Sequence, residues 1–353
     1  MENEIEPMTS RQRFLAACRQ EPLERPPIWI MRQAGRYLPE YRTLKEKYSF
    51  IQLVKTPDLA TEITLQPLKR FPLDAAIIFS DILIIPEALG QPYHFKDEGG
   101  IEMDFTLDSP NNIHALDNSN IAEKLSYVGT ALQSTRSTIG EGKALLGFGG
   151  SPWTLATYMV EGGSSKNFTK IKSLAYQSPL LFAELMKKIS DAVIDLFKLK
   201  IQSGVDAIQI FDSWGNVCPG PDYWNLSLKW IKYIIDALPK DIPIILFAKG
   251  MSHHAKNLLK TGAKVLSVDW TVDMPKMRDS LLHPFAIQGN MDPVLLNTTP
   301  EIVRKEALKL LDQMTPYPGY IFNLGHGILP DAKIENVTTL LETVTRYKAP
   351  VHV

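Results

Sequence analysis

Eight short apolar runs rich in β-forming residues recur along the chain, and most are followed by a stretch with helical spacing. They are Ile28–Met31, Ala75–Phe79, Ala144–Phe148, Ala207–Phe211, Pro243–Phe247, Val265–Val268, Phe285–Gln288 and Tyr320–Asn323. Near-continuous apolar strands signal burial on both faces, as in a parallel sheet covered by helices. Eight is the number that closes a (β/α)8 barrel. An open doubly wound sheet is the alternative with the same alternation. The reading is α/β, a single-domain (β/α)8 TIM-type barrel over residues 1–353, with residues 1–8 frayed. One departure interrupts the alternation: Tyr93–Phe95 and Ile101–Phe105 flank Asp-Glu-Gly-Gly and read as a β-hairpin inserted after strand two.

Helix signals fill the gaps. Thr9–Arg19 carries Phe14, Leu15 and Cys18 on one face. Thr56-Pro57-Asp58 opens a helix to Arg70, and Asn120-Ile-Ala-Glu123 reads as a capping box. Ser178-Pro179 opens a long helix closed by Gly204. Trp224–Leu238, Ala255–Lys260, Pro275–Leu282, Pro300–Met314 with Thr299 as cap, and Ala332–Tyr347 complete the set.

Composition narrows the function. With 38 Lys and Arg against 39 Asp and Glu, the net charge of −1 gives no global field for nucleic acid. No apolar run reaches the roughly 18 residues of a membrane helix. The acidic start, Met-Glu-Asn-Glu-Ile-Glu-Pro, lacks the apolar core of a secretory signal. Cys18 and Cys218 are far apart and without metal-ligand spacing, so neither a zinc site nor a disulfide is expected. A reducing cytoplasm is the simplest compartment.

A barrel of this type carries its chemistry where the strands end. Those positions hold Arg32 and Arg36, Asp81, Gly149–Ser151, Asp212 and Ser213, Lys249-Gly250, Asp269, Asn290–Asp292 and Gly325-His326-Gly327. Arg32-Gln-Ala-Gly-Arg36 puts two guanidiniums around a glycine, an anion clamp or a salt-bridged surface loop. Gly35 supplies a backbone freedom closed to other residues. Asp81, set in Ile78-Phe79-Ser80-Asp81-Ile82-Leu83, either caps the next turn or is a carboxylate that needs a partner or a proton. His326 between two glycines is a ligand contact or part of a tight turn. Tyr158, early in the segment after strand three, is a core residue or a polar contact. Ser213 has no adjacent histidine, and Gly-x-Ser-x-Gly, Walker, dinucleotide-binding and His-Glu-x-x-His motifs are absent.

Two long blocks go further. Arg25-Pro-Pro-Ile-Trp-Ile-Met-Arg-Gln-Ala-Gly-Arg-Tyr-Leu-Pro-Glu-Tyr-Arg42 resembles the N-terminal signature of the uroporphyrinogen decarboxylase family. Gly147-Phe-Gly-Gly-Ser-Pro-Trp-Thr-Leu-Ala-Thr-Tyr-Met-Val-Glu-Gly-Gly163 resembles its second signature. Phe79–Leu83, Phe211–Trp214 and Asn323–Ile328 fit too, so the resemblance runs from about Arg11 to Tyr347.

The resemblance implies a (β/α)8 barrel, commonly a homodimer, that needs no cofactor and no metal. The implied reaction takes the four acetate side chains of uroporphyrinogen III to methyls, giving coproporphyrinogen III and four CO2 in porphyrin and haem synthesis. It implies a tetrapyrrole substrate held by Arg32, Gln33, Ala34, Gly35, Arg36, Asp81, Tyr158, Ser213 and His326, with Arg32, Arg36 and Asp81 closest to the chemistry. The residue types suit that substrate. Eight carboxylates need cations and backbone N–H donors, and pyrrole N–H groups need one acceptor such as Asp81. On this reading Arg32 faces Asp81 across the mouth. A barrel methyltransferase and a non-catalytic tetrapyrrole carrier are the rival readings.

Overall fold

The computed structural model describes residues 8–96, 100–281 and 284–348. The expected frayed segment, the hairpin tip and the end of the Pro275–Leu282 helix fall wholly or largely outside them.

Seven parallel strands form one sheet: β1 (Ala75–Ile77), β4 (Ala144–Gly150), β5 (Ala207–Asp212), β6 (Ile244–Ala248), β7 (Val265–Ser267), β8 (Ala286–Met291) and β9 (Tyr320–Leu324), hydrogen-bonded in that order. β2 (Tyr93–Phe95) and β3 (Ile101–Met103) form the separate antiparallel hairpin, as expected.

The first apolar run closes the ring without forming a ladder. Ile28 makes an isolated parallel bridge to Phe322 of β9. On its other side, the Asp74 N–H donates to the Ile28 carbonyl at 2.9 Å. Going round, the eight staves are thus the Ile28 segment, β1, β4, β5, β6, β7, β8 and β9. The run stops being a strand because side chains take the N–H groups a ladder would use. Gln33 Oε1 accepts from Ile30 N at 3.0 Å, and Asn323 Oδ1 accepts from Met31 N at 2.9 Å.

Alternation along the staves divides the core. Trp29, Ala75, Leu146, Ala207, Ile245, Val265, Ala286 and Ile321 point inward, and Phe14 and Cys18 of the helix Ser10–Cys18 plug the base. Burial pushes the Cys18 thiol up to about 12, so it is inert. A larger apolar layer packs the outer face of the sheet against the helices. Buried carboxylates pin the base. Asp74 accepts from Arg25 Nη1 at 2.7 Å and Nη2 at 3.0 Å, and Asp206 accepts from Arg11 Nε at 2.7 Å and Leu145 N at 2.8 Å.

Most helices fall where expected, including Pro57–Arg70, Pro179–Gln202 and Pro300–Met314. Their caps differ. Asn120 makes no capping bond; it is left-handed at φ 54°, and only a four-residue helix follows it. Neither Thr56 nor Thr299 accepts a capping hydrogen bond, so the proline at the first turn marks those starts instead.

Candidate active site

The turn after the first stave is built differently from its sequence reading. Arg32, not Gly35, takes the left-handed conformation, at φ 63°. A non-glycine residue held there costs on the order of 1–2 kcal/mol. Gly35 is required for another reason: a Cβ on it would lie 2.9 Å from the Arg32 carbonyl oxygen. Gln33 is fully buried and structural. Its Oε1 holds Ile30 N, its Nε2 donates to Ala75 O at 3.0 Å, and its own N–H donates to Ile30 O at 2.9 Å. Its expected N–H contact to an anion is therefore corrected: that donor is used. Ala34 and Gly35 are half-buried, and among the described residues their N–H groups have no partner.

Arg32 and Arg36 are both solvent-accessible, and among the described residues neither guanidinium makes an ion pair or hydrogen bond. Arg32 nonetheless lies in a walled mouth rather than on open surface. Burial dominates its environment and lowers its pKa, opposed by Tyr158 and Asp81 and reinforced by the charge of Arg36. It stays a cation, as guanidinium does in proteins. Gly327 makes room for its stem, since a Cβ there would meet Arg32 Cγ at 2.9 Å and Nε at 3.0 Å.

Asp81 sits after β1, on the stave next to the one carrying Arg32. The two are neighbours round the rim and do not face each other across it. Asp81 is half-buried and has both roles weighed for it. Oδ1 accepts from Leu83 N at 3.1 Å, capping the turn, and Oδ2 accepts from Tyr93 Oη at 3.1 Å. Burial raises its pKa, opposed by those two hydrogen bonds, one from Ile82 N and the charge of Arg32.

His326 is half-buried, and its ring packs edge-on against Phe247 at 5.8 Å. Burial pushes its pKa down to about 4, and the charges of Arg32 and Lys249 push the same way. It is a neutral imidazole at pH 7, able to donate from one nitrogen and accept at the other. The glycine before it packs on the protein itself: a Cβ at Gly325 would lie 3.0 Å from the Asp269 carbonyl carbon. Tyr158 is half-buried, its ring 6.2 Å from that of Trp214, within reach of the charges of Asp81 and Arg32.

Ser213 is half-buried and makes no hydrogen bond among the described residues. Its neighbour Asp212, also placed at the rim from sequence, is fully buried and fixes this turn. It accepts from Ser151 Oγ at 2.6 Å, Tyr223 Oη at 2.7 Å, Ser227 Oγ at 2.9 Å and Thr154 Oγ1 at 3.2 Å. Four hydroxyls satisfy the carboxylate, with no counter-cation among the described residues.

The structure thus gathers Arg32, Asp81, Tyr158 and His326 into one electrostatic neighbourhood, with Arg36 beside Arg32. Tyr93 was not singled out from sequence, and nothing in a lone tyrosine of a hairpin distinguishes it. Two cavities, of about 380 and 290 Å³, lie at the opposite end of the barrel, lined by Leu65, Lys69 and Lys143 and by Glu21, Pro26 and Tyr320. That end serves stability in this fold.

Comparison with known proteins agrees with this geometry. Residues 9–347 match the family described as Uroporphyrinogen decarboxylase (URO-D). A protein named uroporphyrinogen decarboxylase from Magnetococcus marinus is 43% identical over 98% of this chain and 99% of its own length. One of the same name from Chloroherpeton thalassium is also 43% identical, over 98% and 99%. Among solved structures, a methyltransferase from Methanosarcina mazei superposes with a TM-score of 0.79 at 17% identity, covering 96% of this chain and 99% of its own, a likeness of fold alone. Near-complete coverage at that identity, on a barrel whose mouth carries both signature blocks, places this chain in the uroporphyrinogen decarboxylase family.

Proposed function

We propose that this chain is a carboxy-lyase that converts the four acetate side chains of uroporphyrinogen III to methyls, giving coproporphyrinogen III and four CO2 in haem synthesis. The observation that carries the reading is the pair of guanidiniums, Arg32 and Arg36, without a partner among the described residues, beside a desolvated carboxylate, Asp81, at one barrel mouth. A ligand with carboxylates on its rim and N–H groups at its centre complements both.

The chemistry follows from that split. A proton adds to the pyrrole α-carbon next to the carbon bearing the acetate arm, making the ring an iminium-like cation conjugated to that arm. The carbon–carboxylate bond then breaks, its electron pair flows into the ring, and CO2 leaves. A proton on the exposed methylene and loss of the ring proton give the methyl group. The net change is one proton consumed and one CO2 released per arm. The substrate is its own electron sink, so the residues named here need only bind, orient and stabilise charge. Ionised Asp81 stabilises the cationic ring over the neutral one, an effect worth about 3–4 kcal/mol for one preorganised group. Arg32 and Arg36 hold carboxylates, the Ala34 and Gly35 N–H groups add donors, and Tyr158, Ser213 and neutral His326 add polar contacts.

Anaerobic incubation with reduced uroporphyrinogen, followed by mass spectrometry, tests the reading. Stepwise loss of CO2 through partly decarboxylated intermediates is expected. Binding without mass loss would favour a carrier. One sheet drawing its staves from Ile28 to Leu324 supports a single catalytic domain. The resemblance supports a homodimer acting in the cytoplasm, and light scattering on the purified protein tests the dimer. Among the described residues no helix is long and apolar enough to cross a membrane.

A further inference from the structure

We propose that Lys249 is a third cationic contact for the substrate, taking a side-chain carboxylate on the side of the mouth opposite Arg32 and Arg36. This rests on the tetrapyrrole reading above and deepens it.

Position is the first argument. Lys249 follows β6 directly, and β6 is the fifth stave when the Ile28 segment is the first. It therefore stands four places round the eight-stave ring from the arginines, diametrically across. Phe247, two residues earlier, points into the barrel against His326. Side chains two apart on a strand share a face, so the Lys249 side chain leaves toward the mouth just above Phe247. Its charge registers at His326 alongside that of Arg32.

Construction is the second argument. The Lys249 backbone is pinned from both neighbouring staves. Its own N–H donates to Asp212 O at 3.3 Å at the end of β5, and the next N–H, of Gly250, donates to Asp269 Oδ2 at 2.7 Å after β7. Asp269 is buried and already occupied, its other oxygen accepting from Thr271 N at 3.0 Å and from the Thr271 hydroxyl. Among the described residues, Lys249 Nζ makes neither an ion pair nor a hydrogen bond, although the residue is half-buried. A half-buried lysine with a pinned backbone, whose ammonium has no partner among the described residues, is placed to receive one.

Chemistry is the third. A macrocycle with eight carboxylates on its rim presents anions all round, and clamping one side alone leaves it free to pivot. A cation opposite the arginine pair fixes the ring plane over Asp81.

The experiment uses the full-length protein with Lys249→Met and Lys249→Arg. Steady-state kinetics with uroporphyrinogen and equilibrium binding of coproporphyrinogen, read by quenching of tryptophan fluorescence, are measured separately. Lys249→Met is expected to raise KM about tenfold or more, with binding weakened in proportion. Its kcat should stay within about threefold of wild type, the pattern of lost uniform binding. Lys249→Arg should recover most of the affinity, which a packing defect would not. Unchanged KM and affinity in Lys249→Met would overturn the proposal, as would an arginine variant no better than the methionine one. If the wild-type protein releases no CO2, the activity reading falls, and the ratio of coproporphyrinogen affinities still decides the role of Lys249.

Discussion

Tyr93 Oη donates to Asp81 Oδ2 across 3.1 Å, so a hairpin outside the barrel reaches the carboxylate at its mouth. The bond favours the ionised form of Asp81, and burial favours the neutral form. Removing it with Tyr93→Phe should raise the Asp81 pKa further. If catalysis needs ionised Asp81, the acid limb of the kcat/KM profile should move to higher pH. A pH–rate profile of both proteins checks this, and an unmoved limb would detach Asp81 from that limb.

Asp81→Asn should separate stability from activity. The folded-state pKa of Asp81 is raised above its ordinary value of 3.8. The folded protein thus holds this proton more tightly, and stability falls as pH rises through the folded-state value. Above that value the charge costs stability, so there the amide should leave Tm unchanged or higher. Turnover should fall at least about a hundredfold, the loss of one preorganised charge. Scanning calorimetry with an assay checks both halves; near-normal turnover would rule out the assigned role.

Gly327→Ala should act through Arg32. The added Cβ would stand 2.9 Å from Arg32 Cγ and 3.0 Å from Nε. The guanidinium must shift, while its backbone stays anchored by the buried Gln33. A loss of kcat/KM of roughly tenfold to a hundredfold is expected from misplacing a positioning group. Little change in melting temperature should accompany it, because the moved atoms belong to a flexible side chain. Kinetics and thermal melts of the variant test this.

Lys200 offers a pH signature away from the site. It is fully buried behind β4, donating to the Phe148 carbonyl, with Nζ 4.9 Å from the Phe148 ring centre. Burial lowers its pKa from 10.5 to about 7. A depressed folded-state value means stability is fully present above 10.5 and is lost as pH falls through about 7. Lys200→Met should flatten that limb. Melting temperatures across this range, for both proteins, measure it.

Much of the barrel could be read from apolar runs because each stave is buried on both faces. The strands from Ala75 to Leu324 lie within a few residues of their expected places for that reason. The first run misled as a ladder, though not as a stave. Ile28–Met31 carries the same apolar signal, yet Gln33 and Asn323 divert its N–H groups. The Asn120 box failed similarly: a capping pattern matches residue types, and left-handed backbone there is fixed by neighbours the pattern does not contain.

Sequence alone determined the alternation, the rim positions of Arg32, Asp81, Ser213 and His326, and the signature blocks, because these are local in the chain. The tertiary structure decided which rim residues act together. Ring closure through Ile28 made Arg32 and Asp81 neighbours and set Lys249 opposite. Packing buried Gln33 and Asp212 as anchors and brought Tyr93 to Asp81. Charge and hydrogen bonding act through space, and the order of staves around a closed ring is what turns sequence positions into distances.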